Sequence, residues 1–191
     1  MAKHHIAITA QIGAGKGLFA RTFKKLRPDL KTHLIRFSDP LRFMADYAGF
    51  EITRENLQNL GDALRLAFKD EGVLSKILAH RLSRTESDII FLDGLRKHGE
   101  VELVRQLDGH LIYIFADQET RWRRRIADPD NVGEKDMTFE EFKELDSRPA
   151  EASIHDIGET LADAKFENNG TVEEFEEKVR GFLETIKPRL V

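Results

Sequence analysis

A glycine-rich turn with one lysine stands near the N-terminus, between an apolar run and a stretch of helical spacing. Residues 6–9 read Ile-Ala-Ile-Thr, residues 10–17 read Ala-Gln-Ile-Gly-Ala-Gly-Lys-Gly, and residues 18–23 follow with helical spacing. Glycines let the backbone wrap closely around an anion, and consecutive N–H groups at a helix N-terminus direct positive partial charge at it. Lys16 adds a mobile full charge. The segment therefore predicts a strand, a phosphate-binding turn and a helix.

The turn departs from the pattern G-x-x-x-x-G-K-[ST] at two positions. Ala10 replaces the first glycine, and Gly17 replaces the hydroxyl residue that normally holds Mg²⁺. Because Leu18 carries no hydroxyl either, we expect the metal to be held differently or the site to be weakened. The residues predicted to contact the donor phosphates are Ile12, Gly13, Ala14, Gly15, Lys16, Gly17 and Leu18.

A second chemical position lies at the end of the apolar residues 89–92, where the run stops at Asp93. Such a run predicts a buried strand, and ligands of open α/β sheets collect at the carboxyl ends of the strands. A carboxylate there can hold Mg²⁺ directly or through water, or can orient the lysine and the attacking group. Arg96 is predicted to reach an anion at the same edge, the alternative being a solvated surface arginine.

Four arginines cluster on one predicted helix, directly before a polar segment at about residues 127–137 that Pro and Gly interrupt. Guanidinium groups that close over a transferred phosphoryl group stabilise its charge and exclude water. Helical spacing places Arg121 and Arg125 on one face. The basic helix followed by the polar segment predicts a lid over about residues 121–150. Arg148 is predicted to return toward the site from the far end of this lid.

The composition of the chain limits the number of domains, the partners and the location that we expect. The chain has 191 residues, of which 40% are hydrophobic and 34% charged, with a formal net charge of −4 and no cysteine. We expect one domain over residues 1–191 and a small anionic substrate rather than nucleic acid. The lack of cysteine excludes disulfides and thiolate metal sites. Since no apolar run approaches membrane-spanning length, we expect a cytoplasmic protein without a membrane partner.

Strand-like runs alternate with longer helical stretches, which is typical of a parallel sheet covered on both faces. Strands are predicted near residues 5–10, 32–37, 88–92, 110–115 and 164–168. Helices are predicted near residues 16–26, 53–69, 72–84, 97–107, 118–127, 138–146 and 171–186. The second and third strands enclose an all-helical insertion at about residues 38–86, which is longer than a simple crossover needs.

Two further expectations concern side chains that carry no predicted chemistry. The core is expected to contain Phe19, Phe23, Phe43 and Phe68. A solvated helix face is expected at Glu140, Glu141, Glu144 and Asp146.

Short motifs outside the turn carry a family resemblance. They are Phe37-Ser38-Asp39-Pro40-Leu41-Arg42 with Arg54-Glu55-Asn56-Leu57-Gln58-Asn59-Leu60-Gly61, Asp93-Gly94-Leu95-Arg96 with Glu100-Val101, and Ala162-Asp163 with Asn168-Asn169-Gly170-Thr171. The first pair resembles segments of deoxynucleoside monophosphate kinases. The second pair resembles a segment shared by these kinases and an archaeal kinase-like group. The last pair resembles an ending that, in these kinases, lies beside the adenine. Dephospho-coenzyme A kinases are the next most similar family.

The resemblance implies a three-layer α-β-α P-loop kinase fold with a five-stranded parallel sheet, a helical acceptor-binding insertion and an arginine lid. It implies ATP-Mg²⁺ as donor and a nucleotide-like acceptor, in the first place a (deoxy)nucleoside monophosphate. By position, it places Asn169 beside the adenine, Asp39, Arg42 and Gln58 in the acceptor region, Asp93 and Arg96 near the transferred phosphate, and Arg121 and Arg125 in the lid.

The sequence is compatible with more than one role for Asp39 and more than one function for the protein. Asp39 would be a general base for a hydroxyl acceptor such as dephospho-coenzyme A, a positioning group for a phosphate acceptor, or a helix N-cap before Pro40. The absent hydroxyl after Lys16 is also compatible with a nucleotide-binding regulator or a partner-dependent ATPase. A kinase acting on nucleic-acid ends is a third reading, against which the negative net charge counts.

Overall fold

Strands and helices alternate along the chain as the sequence pattern predicts. The computed structural model describes residues 4–70, 72–128 and 135–186. The strands are β1 (His4–Ala10), β2 (Thr32–Arg36), β3 (Ile89–Asp93), β4 (His110–Phe115) and β5 (Ala164–Glu167). The helices are α1 (Lys16–Leu26), α2 (Asp39–Tyr47), α3 (Arg54–Phe68), α4 (Val73–Ser83), α5 (His98–Gln106), α6 (Gln118–Ala127), α7 (Phe139–Asp146), α8 (Pro149–Leu161) and α9 (Val172–Ile186). None of these helices is long and apolar enough to cross a membrane.

All five strands form one parallel sheet in the order β2-β3-β1-β4-β5. The central strand is β1, in which Ile6 pairs with Phe91 of β3 on one side and with His110 of β4 on the other. The carboxyl ends therefore lie along one edge, and the turn after β1 lies between the ends of β3 and β4. Helices cover both faces of the sheet, which confirms the predicted α/β fold.

Side chains of the sheet alternate between two buried clusters, one on each face. Ile6 and Ile8 belong to the cluster beneath α1 and α9, whereas Ala7 belongs to the cluster that includes residues of α4, α5 and α8. Aromatic rings fill much of the first cluster; Phe23 and Phe91, for example, pack edge to face with centroids 5.0 Å apart. Burial on both faces explains why the inner strands β1, β3 and β4 are nearly continuous apolar runs in the sequence, whereas the edge strands β2 and β5 are not.

The helical insertion consists of α2, α3 and α4 and has a small core of its own. This core contains Leu41, Ala45, Leu57, Val73 and Leu74. Further along α4, Leu78 and Leu82 belong to the buried cluster on the sheet that contains Ala7. The α4 helix therefore anchors the insertion to the sheet.

Two of the four phenylalanines expected in the core lie outside it. Phe19 and Phe23 are fully buried, whereas Phe43 is 70% exposed and Phe68 67% exposed. Phe43 stacks on Tyr47, one turn further along α2, with ring centroids 6.2 Å apart. Leu41 and Ala45, which α2 contributes to the core of the insertion, lie two residues to either side of Phe43, so helical geometry turns this ring away from that core.

The sequence pattern does not predict α2 and α8 as separate helices. In α8 the reason is Gly158, because glycine in a helix interior is unfavourable and counts against a helix. The structure explains this glycine: a Cβ at position 158 would overlap the ring of Tyr113, which is fully buried in β4. Close packing of α8 on the sheet therefore requires the residue that obscures the helix in the sequence.

We predict that Gly158→Ala lowers the free energy of unfolding by about 1–3 kcal/mol, because the added methyl group must displace a buried ring. Gly181→Ala in α9 is the matched control, since apart from its chain neighbours and the adjoining helix backbone no atom of the described residues lies within 4 Å of a Cβ at that position. There alanine is expected to stabilise the helix by up to about 1 kcal/mol. Urea denaturation measures both changes, and a stabilised Gly158→Ala variant would contradict the close packing.

Candidate phosphate-binding site

The turn between β1 and α1 has the backbone of an anion cradle. Gly13 and Gly15 have φ angles of 76° and 104°, a region that favours glycine. The N–H of Ala14 donates to the carbonyl oxygen of Gln11 at 3.1 Å and closes the turn, after which α1 begins at Lys16. The first N–H groups of a helix have no acceptor within the helix, so they attract anions. The predicted phosphate loop thus lies at the centre of the carboxyl edge.

Lys16 and Asp93, which were predicted from separate motifs, are in contact. Nζ of Lys16 lies 2.6 Å from Oδ1 of Asp93, and Nε of Arg36 lies 3.8 Å from Oδ2. The strand register explains this meeting, because Asp93 pairs with both Ile8 of β1 and Arg36 of β2. The Lys16 side chain is 42% exposed and that of Asp93 is 9% exposed. The carboxylate is therefore held at the edge of the sheet while the ammonium group reaches solvent.

Asp39 lies at the start of the insertion. Its Oδ2 accepts a hydrogen bond from the backbone N–H of Arg36 at 3.0 Å and lies 3.4 Å from Nη1 of Arg81 on α4. The N-cap of α2 is Ser38, and Asp39 is the first residue of the helix. The predicted cap is therefore wrong by one residue, because the Asp39 carboxylate turns back to the end of β2.

Three other residues predicted for the acceptor side lie on three different segments. Arg42 is exposed on α2, with Nε 3.3 Å from Oγ of Ser38, and Gln58 is exposed on α3. Arg96 follows β3, and its Nη1 lies 3.1 Å from Oε1 of Glu151 on α8. The Glu151 side chain is 2% exposed and that of Arg96 is 40% exposed. One end of Arg96 is thus anchored while much of its side chain stays accessible.

Glu100 fixes the chain segment that carries Arg96. Its Oε2 accepts the backbone N–H groups of Arg96 at 2.7 Å and Lys97 at 3.1 Å. Burial raises the pKa of Glu100 above its ordinary value, and the two N–H donors offset part of that effect. The glutamate that follows the Asp-Gly-Leu-Arg motif in the sequence therefore caps α5.

Arg121 does not lie in an open lid as predicted. Its side chain is 3% exposed and forms a bidentate pair with Asp146 of α7, with Nη1–Oδ1 and Nη2–Oδ2 distances of 2.6 and 2.7 Å. Its Nε donates to the carbonyl oxygen of Ala116 at 2.9 Å, and the guanidinium carbon lies 5.5 Å from the centre of the Phe142 ring. Protein groups surround this guanidinium, so it does not face an open phosphate site.

Asp146 is correspondingly not on a solvated helix face. Its side chain is 12% exposed, and its Oδ2 also accepts a hydrogen bond from Nε2 of Gln118 at 2.9 Å. Burial by itself would raise the pKa of Asp146. The hydrogen bonds from Arg121 and Gln118, with the charges of Arg121 and His155, outweigh burial and lower it.

Polar groups after β4 and β5 border the other side of the loop. Asn169, predicted beside the adenine, accepts the N–H of Asp117 on its Oδ1 at 2.8 Å. Nη1 of Arg124 donates to the carbonyl oxygen of Asn168 at 2.6 Å. These contacts join the N-cap and the last turn of α6 to the segment that follows β5.

The rest of the predicted lid is only partly described. Arg125 is half-buried on α6, and Arg148 is exposed at the N-cap of α8. Residues 129–134, which make up much of the predicted polar loop, lie outside the described residues.

Sequence reasoning did not single out several residues that hold the site together. Arg36 ends β2 as Asp93 ends β3, so its position at a strand end was a usable signal. Asn168 belongs to the motif quoted from the sequence, but its contact with the Ala14 carbonyl of the glycine-rich turn was not predicted. Arg81 and Glu151 lie within helices and reach the site only through tertiary packing, for which a single sequence carries no signal.

Relatives match this chain over nearly its whole length. A UPF0200 protein from Saccharolobus islandicus is 29% identical over 178 residues, which cover 91% of this chain and 88% of the relative. A UPF0200 protein from Thermococcus gammatolerans is 26% identical over 185 residues, covering 95% and 94%. No family model matches the sequence. Because the name UPF0200 states no activity, these relatives do not identify a reaction.

Solved structures share the fold, and two of the following three are small-molecule kinases. Shikimate kinase from Bacteroides thetaiotaomicron has a TM-score of 0.60 at 12% identity, covering 96% of this chain and 98% of that one. A gluconokinase from Sinorhizobium meliloti has a TM-score of 0.57 at 11% identity, covering 99% and 96%. TT1252 from Thermus thermophilus has a TM-score of 0.56 at 21% identity, covering 97% and 99%. The chain therefore has a P-loop kinase fold over almost all of its length.

We predict that Asp146→Asn lowers the free energy of unfolding by about 3 kcal/mol at pH 7, because it leaves the buried Arg121 without its counter-charge. The lowered pKa of Asp146 stabilises the fold fully above its unfolded-state pKa of about 4, and this contribution is lost as the pH falls through the folded-state value. The stability difference between wild type and variant should therefore shrink at pH 3.

Urea denaturation at pH 7 and pH 3 measures this difference. Glu140→Gln, on the exposed face of the same helix, is the control and should change stability by less than about 0.5 kcal/mol. A difference between wild type and Asp146→Asn that stays constant with pH would contradict the assignment.

Proposed function

We propose that this protein is a kinase that transfers the γ-phosphoryl group of ATP to a small nucleotide-like acceptor, in the first place a (deoxy)nucleoside monophosphate. The observation that carries this proposal is the 2.6 Å contact between Lys16 and Asp93 beside the phosphate loop. An ion pair with so exposed a lysine contributes little to stability. Its place at an anion cradle is better explained by a task in catalysis.

The loop N–H groups and Lys16 would hold the donor phosphates. Mg²⁺ prefers oxygen ligands and usually keeps several waters, so the Asp93 carboxylate, phosphate oxygens and water form a suitable ligand set without a hydroxyl at position 17. When bound, the metal would neutralise charge on the phosphates. Asn169 and Arg124 border the side of the loop on which we expect the nucleoside.

Lys16 would exchange the Asp93 carboxylate for phosphate oxygens when the donor enters. Asp93 would then be free to hold the metal or its water at the same edge, while Arg36 remains near it as a counter-charge. Phosphoryl transfer spreads negative charge over the oxygens of the transferred group. Lys16 and the accessible part of Arg96 would stabilise that charge.

The insertion side of the edge favours an anionic acceptor. Accessible cations on this side are Arg36, Arg42, Arg81 and Arg96. The Asp39 carboxylate already accepts the Arg36 N–H and pairs with Arg81. These contacts support a positioning role for Asp39, which suits a phosphate acceptor, since a hydroxyl acceptor would need this residue as a general base.

The experiment is to measure ADP release from Mg-ATP with a panel of ribo- and deoxynucleoside monophosphates and dephospho-coenzyme A. Stimulation by a nucleoside monophosphate would support the proposal. Stimulation by dephospho-coenzyme A alone would replace it with hydroxyl phosphorylation and Asp39 as base. ATP hydrolysis that no acceptor stimulates would overturn the kinase proposal.

We predict that Lys16→Met lowers acceptor-stimulated turnover by at least about 10²-fold, the loss typical of removing one group that stabilises transition-state charge. Lys24→Met is the matched control, because Lys24 lies exposed on the same helix. It should leave turnover unchanged, and thermal denaturation should show both variants folded. Near-normal turnover of folded Lys16→Met would remove the loop from the reaction.

The absent hydroxyl after Lys16 supports a second candidate, a nucleotide-binding regulator with slow ATP hydrolysis. Gly17→Ser separates the two functions, since a Cβ there would meet only Nη1 of the exposed Arg21, at 3.4 Å. For a kinase whose metal is held partly by water, we predict that Gly17→Ser reaches half-maximal transfer at a lower Mg²⁺ concentration. Faster ATP hydrolysis without transfer to any acceptor would favour the regulator.

A further inference from the structure

We propose that Arg121 and Asn168 are positioning residues of the phosphate loop. By holding the carbonyl oxygens of Ile12 and Ala14 from outside, they turn the N–H groups of Gly13 and Gly15 toward the bound phosphates. This inference rests on the proposed function, because it takes the loop as the donor phosphate site. It gives Arg121 a task different from the lid role predicted from the sequence.

The two contacts reach the loop from different elements. Nη1 of Arg121 in α6 donates to the carbonyl oxygen of Ile12 at 3.2 Å. Nδ2 of Asn168, which follows β5, donates to the carbonyl oxygen of Ala14 at 2.8 Å. These acceptors are alternate peptide carbonyls of one turn.

Because the peptide unit is planar, each contact to a carbonyl oxygen also sets the direction of the N–H group that follows it. In a trans peptide the carbonyl of one residue and the N–H of the next point in opposite directions. The described residues contain no cis peptide bond. A donor that holds the Ile12 carbonyl therefore directs the Gly13 N–H away from Arg121, and a donor that holds the Ala14 carbonyl directs the Gly15 N–H away from Asn168.

External donors are needed because the loop depends on glycine. Glycine permits the positive φ angles of the turn, but it leaves the peptide planes free to rotate and so raises the entropy lost when an anion binds. A hydrogen bond to each preceding carbonyl restricts this rotation before the anion arrives. The loop is thus organised for phosphate without any residue of the turn contributing a rigid side chain.

The absence of side chains at the two glycines also lets the donors approach. A Cβ on Gly13 would lie 2.5 Å from the carbonyl oxygen of Arg121, and a Cβ on Gly15 would overlap the amide of Asn168. Each glycine is therefore required twice, once for its backbone angle and once for the neighbour that packs against it.

Both donors are themselves held in place. Each is 3% exposed. Arg121 is fixed by Asp146 and by the Ala116 carbonyl. The N–H of Asn168 donates to the Phe115 carbonyl at 2.8 Å, and its own carbonyl accepts Nη1 of Arg124 at 2.6 Å. Neutralised by Asp146, Arg121 acts on the phosphates through the loop rather than as a direct ligand.

The test is the affinity of Asn168→Ala for two probes, inorganic tripolyphosphate and Mg-ATP, measured by calorimetry beside its melting temperature without ligand. We expect both probes to bind about five- to tenfold more weakly, the loss that corresponds to one hydrogen bond. Thr53→Ala is the stability control, because it removes the N-cap of α3 on the acceptor side. It should lower the melting temperature and leave both affinities within about twofold.

Arg121→Lys tests the same inference at the Ile12 carbonyl, since lysine keeps the charge opposite Asp146 but lacks the planar guanidinium whose Nη1 donates both to Oδ1 of Asp146 and to the Ile12 carbonyl. It should lower the affinity for both probes about as much as Asn168→Ala does. The inference therefore stays testable if one of the two variants fails to fold. A folded variant with wild-type affinity for both probes would overturn this inference and leave the proposed function intact. Weaker Mg-ATP binding with unchanged tripolyphosphate binding would assign Asn168 to the nucleoside and also overturn it. A wild-type protein that binds neither probe would overturn both.

Discussion

The carboxyl edge of the sheet is organised around the ion pair between Lys16 and Asp93. Its geometry follows from strand order, because β1 and β3 are parallel neighbours and Ile8 lies level with Asp93. The chain that leaves β1 therefore passes the carboxylate, turns at two glycines and returns as α1 with Lys16 beside it. Burial of the sheet on both faces holds the strand ends at fixed positions. The apolar core thus fixes the positions from which the two charged side chains meet.

The same pair divides the edge into two chemically different sides. Exposed arginines lie toward β2 and the insertion, where Arg36 is near Asp93 and Arg81 is near Asp39. The guanidinium groups attract anions, and the two carboxylates reduce the repulsion between them. Toward β4 and β5 lie amides, backbone carbonyls and the enclosed Arg121–Asp146 pair. Exposed charged side chains lie on the first side, and enclosed hydrogen-bonded groups lie on the second. Under the proposed function, the first side would receive the anionic acceptor and the second would hold the ATP.

The parts of the structure that depend on local sequence were predictable. The glycine-rich turn, the five strands and the helices predicted near residues 138–146 and 171–186 follow from residues close together in the chain, and the structure contains all of them. The role of Arg121 was not predictable in this way. Helical spacing shows that Arg121 and Arg125 share a face, but burial is decided by Asp146, which lies 25 residues further along.

Gly158 and Phe43 illustrate the same limit in opposite directions. Gly158 weakens the helical pattern of α8 in the sequence, although close packing on Tyr113 requires a glycine at that position. Phe43 has the spacing of a core residue but lies on an exposed face of α2. In both cases the neighbour that decides the outcome comes from another element. The chemistry of the edge is therefore more visible in the sequence than the packing that positions it.

Phosphorus NMR of the protein with Mg-ATP and the acceptor panel tests most directly whether this edge transfers a phosphoryl group. We predict that the γ-phosphate signal of ATP is replaced by the signals of ADP and of an equal amount of one phosphorylated nucleotide. ADP and inorganic phosphate as the only products with every acceptor, or an unchanged ATP spectrum, would contradict the assignment of this site as a kinase.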